Sequence, residues 1–294
     1  MTVTSPPVPA GRVRYRPGRV AQRFLADRTG VTCLVVLVLL LLVAVVSRVW
    51  TPVDPGAQDL VDRLQGPSAA HLLGTDNVGR DILSRLMEAT WTALTSCLLA
   101  VGLAVVVGVP LGLLAGYVGG VVDGVLGRVS DVLMSLPPLL FAVAIVGALG
   151  PSLTNAMIAI GVLLVPRFFR LTRISTREVE SEDFVEAARA SGTGTARILV
   201  RHVLPNVASP LLIQVSFGAA VAIVSESGLS FLGLGAQPPT ASWGSMVKEG
   251  FDRLAESSWS MYPPAVAIVV TVLVLSLLGD SLRDAVGRQT GGRR

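Results

Sequence analysis

The chain has 294 residues, of which 51% are hydrophobic and 15% charged, with a formal net charge of +4. Soluble domains carry about 25% charged residues, and here the charges are banded: positions 29–47, 89–122, 132–166 and 257–279 contain none. A bilayer core about 30 Å thick is crossed by roughly 20 apolar helical residues, so the composition excludes a cytosolic or secreted enzyme, a DNA-binding domain and a disordered scaffold. An all-α, polytopic membrane bundle is expected.

Six spans are predicted, at 29–49, 92–117, 127–149, 153–169, 207–227 and 262–281. The first is too long and too uniformly apolar for a signal peptide, and Ser47-Arg48-Val49-Trp50 is a poor cleavage site; it is read as an uncleaved span. In the second, Gly108, Gly112, Gly116 and Gly120 recur every fourth residue, with Pro110 among them. Such a stripe lets a neighbouring helix approach the backbone, either inside the bundle or at a subunit interface. The uncharged stretch from 132 would be about 50 Å long as one helix, too long for one crossing. Leu149-Gly150-Pro151-Ser152 is a turn signal that divides it. Within the third span, Leu136-Pro137-Pro138-Leu139 must break or kink the helix. Broken helices are tolerated where they line a cavity, so Pro137 and Pro138 mark a pathway-lining kink or a simple packing kink.

Between the fourth and fifth spans lies a segment at 171–206, too long for an idle connection. Ala187, Ala188 and Ala190 favour a short helix, and Gly192 stands where such a helix ends in a left-handed cap. A second short helix is predicted over 195–203 with Ile198, Leu199 and Val203 on its apolar face, stopped by Pro205. Two short, small-residue helices meeting at a glycine make a knob. It suits docking into a groove of another protein or lying on lipid headgroups among seven nearby arginines.

An even number of spans places both termini on one side. Eighteen Arg and Lys then fall on that side against six on the other, which assigns it to the cytoplasm by the positive-inside rule. The predicted organisation is a basic cytoplasmic tail at 1–28, a first span and extracytoplasmic segment at 29–90, a five-span core at 91–282 carrying the loop 183–206, and a cytoplasmic tail at 283–294. Trp50 and Trp259 are read as interface anchors, and Asp76 as a turn residue resembling a helix N-cap.

Chemical exclusions are sharp. The one lysine, Lys248, is followed by Glu249, so no phosphate-binding GxxxxGK[ST] loop exists. HExxH and GxSxG are absent. Cys33 and Cys97 lie in different spans and read as packing residues. His71 and His202 fall on opposite sides of the membrane, so no metal site is expected. Ionisable groups in or beside spans are Asp123, Arg128, Asp131, Glu226 and Asp280, with the middle of each span read as uncharged. That argues against an ion-coupled secondary transporter. No catalytic residue and no cofactor are assigned to the chain.

Glu186-Ala187-Ala188, three residues, Gly192, nine residues, then Leu204-Pro205 resembles the EAA loop of binding-protein-dependent ABC importer permeases. His202, where Ile is frequent, is similar to the peptide/nickel branch. Three further stretches resemble the C-type permease subunit of dipeptide and oligopeptide importers: His71 to Leu86, Glu226 to Gly244, and Leu278 to Asp284. The resemblance covers about 70–286; the first 25 residues carry none. It implies a type I ABC importer permease fold in a prokaryotic inner or plasma membrane. The implied partners are a second permease subunit, forming a heterodimer, two ABC ATPase subunits that bind ATP-Mg, and an extracytoplasmic substrate-binding protein; nucleic acid is not among them. Glu186, Ala187, Ala188, Gly192, His202, Leu204 and Pro205 would couple to an ATPase. Phe231, Trp243 and Glu226 would join Pro137 and Pro138 as candidate pathway or gate residues. Peptides are the implied cargo, with nickel chelates, glutathione-like or haem-like solutes as alternatives.

Overall fold

A computed structural model describes residues 17–287; the predicted tail segments 1–16 and 288–294 lie outside the described residues. The described chain is helical, with one isolated bridge between Thr75 and Asp81. Helix α1 (Pro17–Ala26) lies within the predicted basic tail at 1–28. Asp27 then caps α2 (Arg28–Val46), its carboxylate accepting from the backbone N–H of Thr29 and Gly30. Most of α2 is exposed apolar surface, as a helix facing lipid requires.

Helix α3 (Ile82–Val118) begins ten residues before the predicted second span. Its cap is Asp81, which accepts from the Ser84 N–H at 2.8 Å. Asp76, read as a turn residue resembling an N-cap, folds the preceding turn by accepting from the N–H groups of Val78 and Arg80. Helix α6 (Leu153–Glu180) is the principal neighbour of α3. The physical reason is the glycine stripe: a Cβ on Gly108 would lie 2.8 Å from the Val165 carbonyl oxygen. On Gly112 it would lie 2.6 Å from Thr172 Cβ, and on Gly116 2.6 Å from the Arg173 carbonyl oxygen. Side-chain-free positions let two backbones touch and gain dispersion along their length. Gly120 does not belong to this register. With Gly119 it forms the turn into α4 (Gly120–Ser135), at φ of +67° and +55°, and nothing lies within 4 Å of its Cβ direction.

The third predicted span is two helices. Helix α4 ends at Ser135, α5 (Pro138–Leu149) follows, and the axes turn by 91° at the prolines. Pro137 cannot donate to a continuing ladder and forces Leu136 into extended backbone, φ −79° and ψ 134°. The count of six spans is corrected accordingly. Four helical segments are long and apolar enough to cross: Arg28–Val46, Ile82–Val118, Thr195–Phe231 and Trp259–Gly287; the α4–α5 pair, bent by 91°, counts as a fifth only where both helices form one broken span rather than a re-entrant loop. Helix α6 is not among them. Its apolar part, 153–166, is only about 21 Å long, and four arginines follow on the same helix.

Helix α6 runs to Glu180, so the long loop predicted at 171–206 is largely helical. After α7 (Asp183–Ala190) and α8 (Thr195–Ile198), the chain does not stop at Pro205 as predicted. It passes through a π-turn (Leu199–Val203) into α9 (Leu204–Phe231). The wider turn lets the Leu204 N–H reach the Leu199 carbonyl, and the proline that follows, lacking an N–H, is absorbed rather than breaking the helix. Helix α9 packs on α6, α3 and α11 (Tyr262–Gly287), while α2 flanks α3 and α11. The core is formed by small residues and a few large ones, among them Ala89, Ala100, Ala104, Met157, Phe168 and Ile223.

Candidate functional site: an inner knob and a cavity at the helix elbow

The knob at the base of the bundle is α7. Val185, Ile198, Val203 and Val207 are buried in the main core and anchor it. Its end is a Schellman cap: Thr193 N–H donates to the Ala188 carbonyl at 3.1 Å and Gly192 N–H to the Arg189 carbonyl at 3.0 Å. Gly192 has φ +75°, a conformation in which a side chain is strained. Arg189 bonds the Glu180 carboxylate and lies over the Tyr117 ring at 5.3 Å, which ties α7 to the ends of α6 and α3. The Glu180 hydrogen bond is the first cause of a guanidinium pKa raised further above its ordinary value.

With α7 fixed this way, Glu186, Ala187 and Ala190 are exposed, as are Phe184 and Gly192. Ala188 is not on that surface: it is half-buried and packs against the core. Leu204 is half-buried, Pro205 exposed, and His202 half-buried with its carbonyl accepting from Asn206. The outward surface is thus an acidic, small-residue face bounded by Phe184.

At the opposite end, two segments that the sequence presents separately meet. Helix α10 (Trp243–Phe251) carries Glu249, whose carboxylate takes both Arg85 Nη1 at 2.6 Å and Arg85 Nη2 at 3.1 Å, and Arg80 Nη2 at 2.9 Å. Asp76 completes the cluster by pairing with Arg80 at 2.7 Å and with Arg85. Arg85 is 96% removed from solvent on its side chain. A buried guanidinium is tolerable only with such compensation. Trp259 Nε1 donates to the Leu73 carbonyl at 2.8 Å, so this tryptophan staples two segments as well as standing near a span edge. Arg63 pairs with Glu256 at 2.6 Å; Glu256 is held below the usual carboxylate range, first by its hydrogen bond from Arg253 and also by Arg63. Replacing Glu249 by Gln is expected to cost about 1–3 kcal/mol, the scale of a lost charge-assisted bond with Asp76 still neutralising Arg85. Faster protease cleavage within 243–261, with an unchanged helical spectrum, is the measurement that checks it.

Among the candidate gate residues, Glu226 is fully buried near the C-terminal end of α9. Ser230 donates to it at 2.7 Å and in turn accepts from the Ala236 N–H at 3.1 Å. Trp243 is fully buried, and Phe231 makes an edge contact with Phe251 at 5.6 Å. Gly244 sits so close to the Ser227 carbonyl that a Cβ there would approach to 2.3 Å. These residues pack α10 against α9, and Glu226, Phe231 and Trp243 are not among the residues lining the cavity between α5, α6 and α9. Pro137 and Pro138 are exposed, and of the five only Pro138 faces the main cavity.

That cavity, about 340 Å³, lies between α5, α6 and α9 and is walled by Leu139, Ala142, Leu163, Val221 and Val224 among others. Its polar groups come from Arg167 and Ser225. The sequence reading counted no charge in the middle of a span and so missed Arg167, which sits two residues from the end of the predicted fourth span. Only the fold distinguishes it: Arg170 pairs with Asp131, and Arg173 and Arg177 with Asp123, which leaves Arg167 as the one arginine of α6 without a carboxylate. No group of His, Cys, Asp and Glu suited to a metal exists among the described residues.

A membrane-spanning helical bundle with a sharply bent α4–α5 pair and a capped knob is the fold of a type I ABC importer permease. The likeness extends to a solved chain of the MetNI methionine ABC transporter in inward-facing conformations, with a TM-score of 0.57 at 18% identity, covering 69% of this chain and 97% of that one. Residues 108–291 match the family of binding-protein-dependent transport system inner membrane components, and the chain belongs to it. Residues 17–67 match the N-terminal transmembrane domain of oligopeptide transport permease C, so α1 and α2 lie inside a family segment that the sequence reading did not recognise. The dipeptide transport system permease protein DppC of Escherichia coli K12 is 44% identical over 271 residues, 90% of each chain. The probable D,D-dipeptide transport system permease protein DdpC of the same strain is 36% identical over 99% of this chain and 98% of its own. A putative peptide transport system permease protein of Brucella abortus is 39% identical over 90% of each.

Proposed function

We propose that the chain is one of two permease subunits of an ATP-driven importer for short peptides, and that α7 is the element an ATPase subunit grips. The observation that carries the reading is the exposed Glu186–Ala187 face, fastened to the bundle by Val185 and the Arg189 contacts and ended by Gly192. A rigid knob on a chain with no phosphate-binding lysine suits force received from elsewhere. ATP-Mg binds the partner ATPases, a second permease completes the path, and an outer binding protein delivers cargo to the side bearing α10. Both termini face the cytoplasm of a prokaryotic cell, with 1–28 and 283–294 as the inner tails. The peptide names of the relatives support the cargo class.

The test is reconstitution. Vesicles holding this chain, the second permease and both ATPases, supplied with the binding protein, are expected to accumulate dipeptide only with ATP-Mg. This chain alone is expected to accumulate none under a proton or sodium gradient; ion-driven uptake by it alone would contradict the reading.

A further inference from the structure

The cavity at the α4–α5 elbow carries one cation that the fold leaves uncompensated. Four arginines follow one another on α6. Three pair with carboxylates of α4, Arg170 with Asp131 and Arg173 and Arg177 sharing Asp123. Arg167, the one nearest the apolar half of the helix, has no such partner and faces the cavity together with Ser225 and the apolar side chains of α5, α6 and α9. Arg167 is exposed at this cavity and bonded to no carboxylate of the described residues, so its guanidinium is available to a ligand. Its planar donors match a carboxylate in a two-point hydrogen bond. The volume, about 340 Å³, is that of a small-molecule pocket.

We infer that Arg167 is a way-station for the terminal carboxylate of the cargo, with the cargo's side chains held against Leu139, Leu163 and Val224. This rests on the peptide-importer reading and adds to it the group that the membrane path itself recognises. The apolar wall accepts varied side chains, while the single cation selects the feature that all free-acid peptides share. Pro138 matters here because the break it marks turns α5 away from α4 and opens the space Arg167 faces.

The experiment uses the whole complex in nanodiscs, with Cys33 and Cys97 replaced by Ala and a reporter thiol introduced as Ser225→Cys, or on the opposite wall as Leu139→Cys. A sulfonate-bearing thiosulfonate reagent is expected to label either thiol roughly tenfold faster than its trimethylammonium counterpart, the scale of one charge-assisted interaction. Arg167→Gln should abolish that preference and Arg167→Lys should keep most of it. A free-acid dipeptide should slow labelling with Arg167 present, and the same dipeptide as its C-terminal amide should not. A charge preference indifferent to residue 167, or equal protection by acid and amide, would overturn the inference. Protection that follows the anionic lipid content of the nanodisc would overturn it in favour of a headgroup. Uptake of the dipeptide by the unmodified complex is read in parallel: its failure refutes the importer reading, whereas intact uptake without carboxylate-dependent protection refutes the role of Arg167 alone.

Discussion

Ala187→Trp is expected to reduce ATP-driven uptake by about ten- to a hundredfold, the equivalent of the 1–3 kcal/mol that overpacking a close contact costs, while the bundle stays folded. Ala187 is exposed on α7, and nothing within the chain opposes a larger side chain there. The loss would therefore come from the surface proposed to meet an ATPase subunit. Gly192→Asp is expected to have a comparable effect for a different reason. Its φ of +75° strains any side chain, and a new carboxylate would stand at the cap beside an already acidic face. Ala188→Trp is the contrasting variant. Ala188 packs against the core, so its replacement should lower the amount of folded protein rather than uncouple it. ATPase stimulation by loaded binding protein, measured beside the melting temperature of each complex, separates these outcomes. Normal coupled activity in both Ala187→Trp and Gly192→Asp would remove α7 from the drive mechanism.

Gly112→Leu should be the most destabilising single change in the bundle. Already at Cβ the substituent would sit 2.6 Å from Thr172 Cβ and 2.7 Å from the Phe169 carbonyl oxygen. Neither neighbour is the tip of a flexible side chain, so α3 and α6 must separate. Ordinary overpacking costs about 1–3 kcal/mol; displacing a backbone-to-backbone interface should exceed that, and the expected result is failure to accumulate folded protein. Gly112→Ala places the same Cβ against the same atoms and should also be clearly destabilising, though less than Leu, whose further atoms add to the clash. Gly102→Ala, on the same helix with nothing within 4 Å of its Cβ direction, should be neutral or better. Thermal unfolding in detergent of the two alanine variants tests the contrast. Equal behaviour would mean that α3 and α6 do not depend on the stripe.

The parts legible in the sequence are those where local pattern and tertiary need coincide. The glycine register, the Gly192 cap and the Ile198–Val203 apolar face each follow from a repeat or a conformational preference that no distant residue overrides. Gly120 shows where such reasoning stops: it keeps the period of four but lies past the helix end, where periodicity has no meaning. The reach of α3 back to Ile82 and the passage of α9 through Pro205 were hidden because each depends on a compensating device, Asp81 in one case and a π-turn in the other. The outer salt cluster could not be read at all. Arg85 and Glu249 are 164 residues apart, and only the fold brings them together. Glu226 and Trp243, candidate gate residues by type, are both buried, a placement that only the fold reveals. Arg167 was overlooked because it stands at the margin of an apolar run, where charge is unremarkable until its three neighbours are seen to be paired.

One consequence of the π-turn concerns leverage. Because the chain widens at 199–203 instead of breaking, Thr195 through Phe231 is an unbroken helical segment of 37 residues, about 55 Å along its axis. Its foot lies beside α7 and its head beside Ser230 and the α10 junction. Tilting such a shaft by about 10° would swing its head through roughly 10 Å, enough to pry α10 from its seat. A helix interrupted at Pro205 would have dissipated that stroke at the joint.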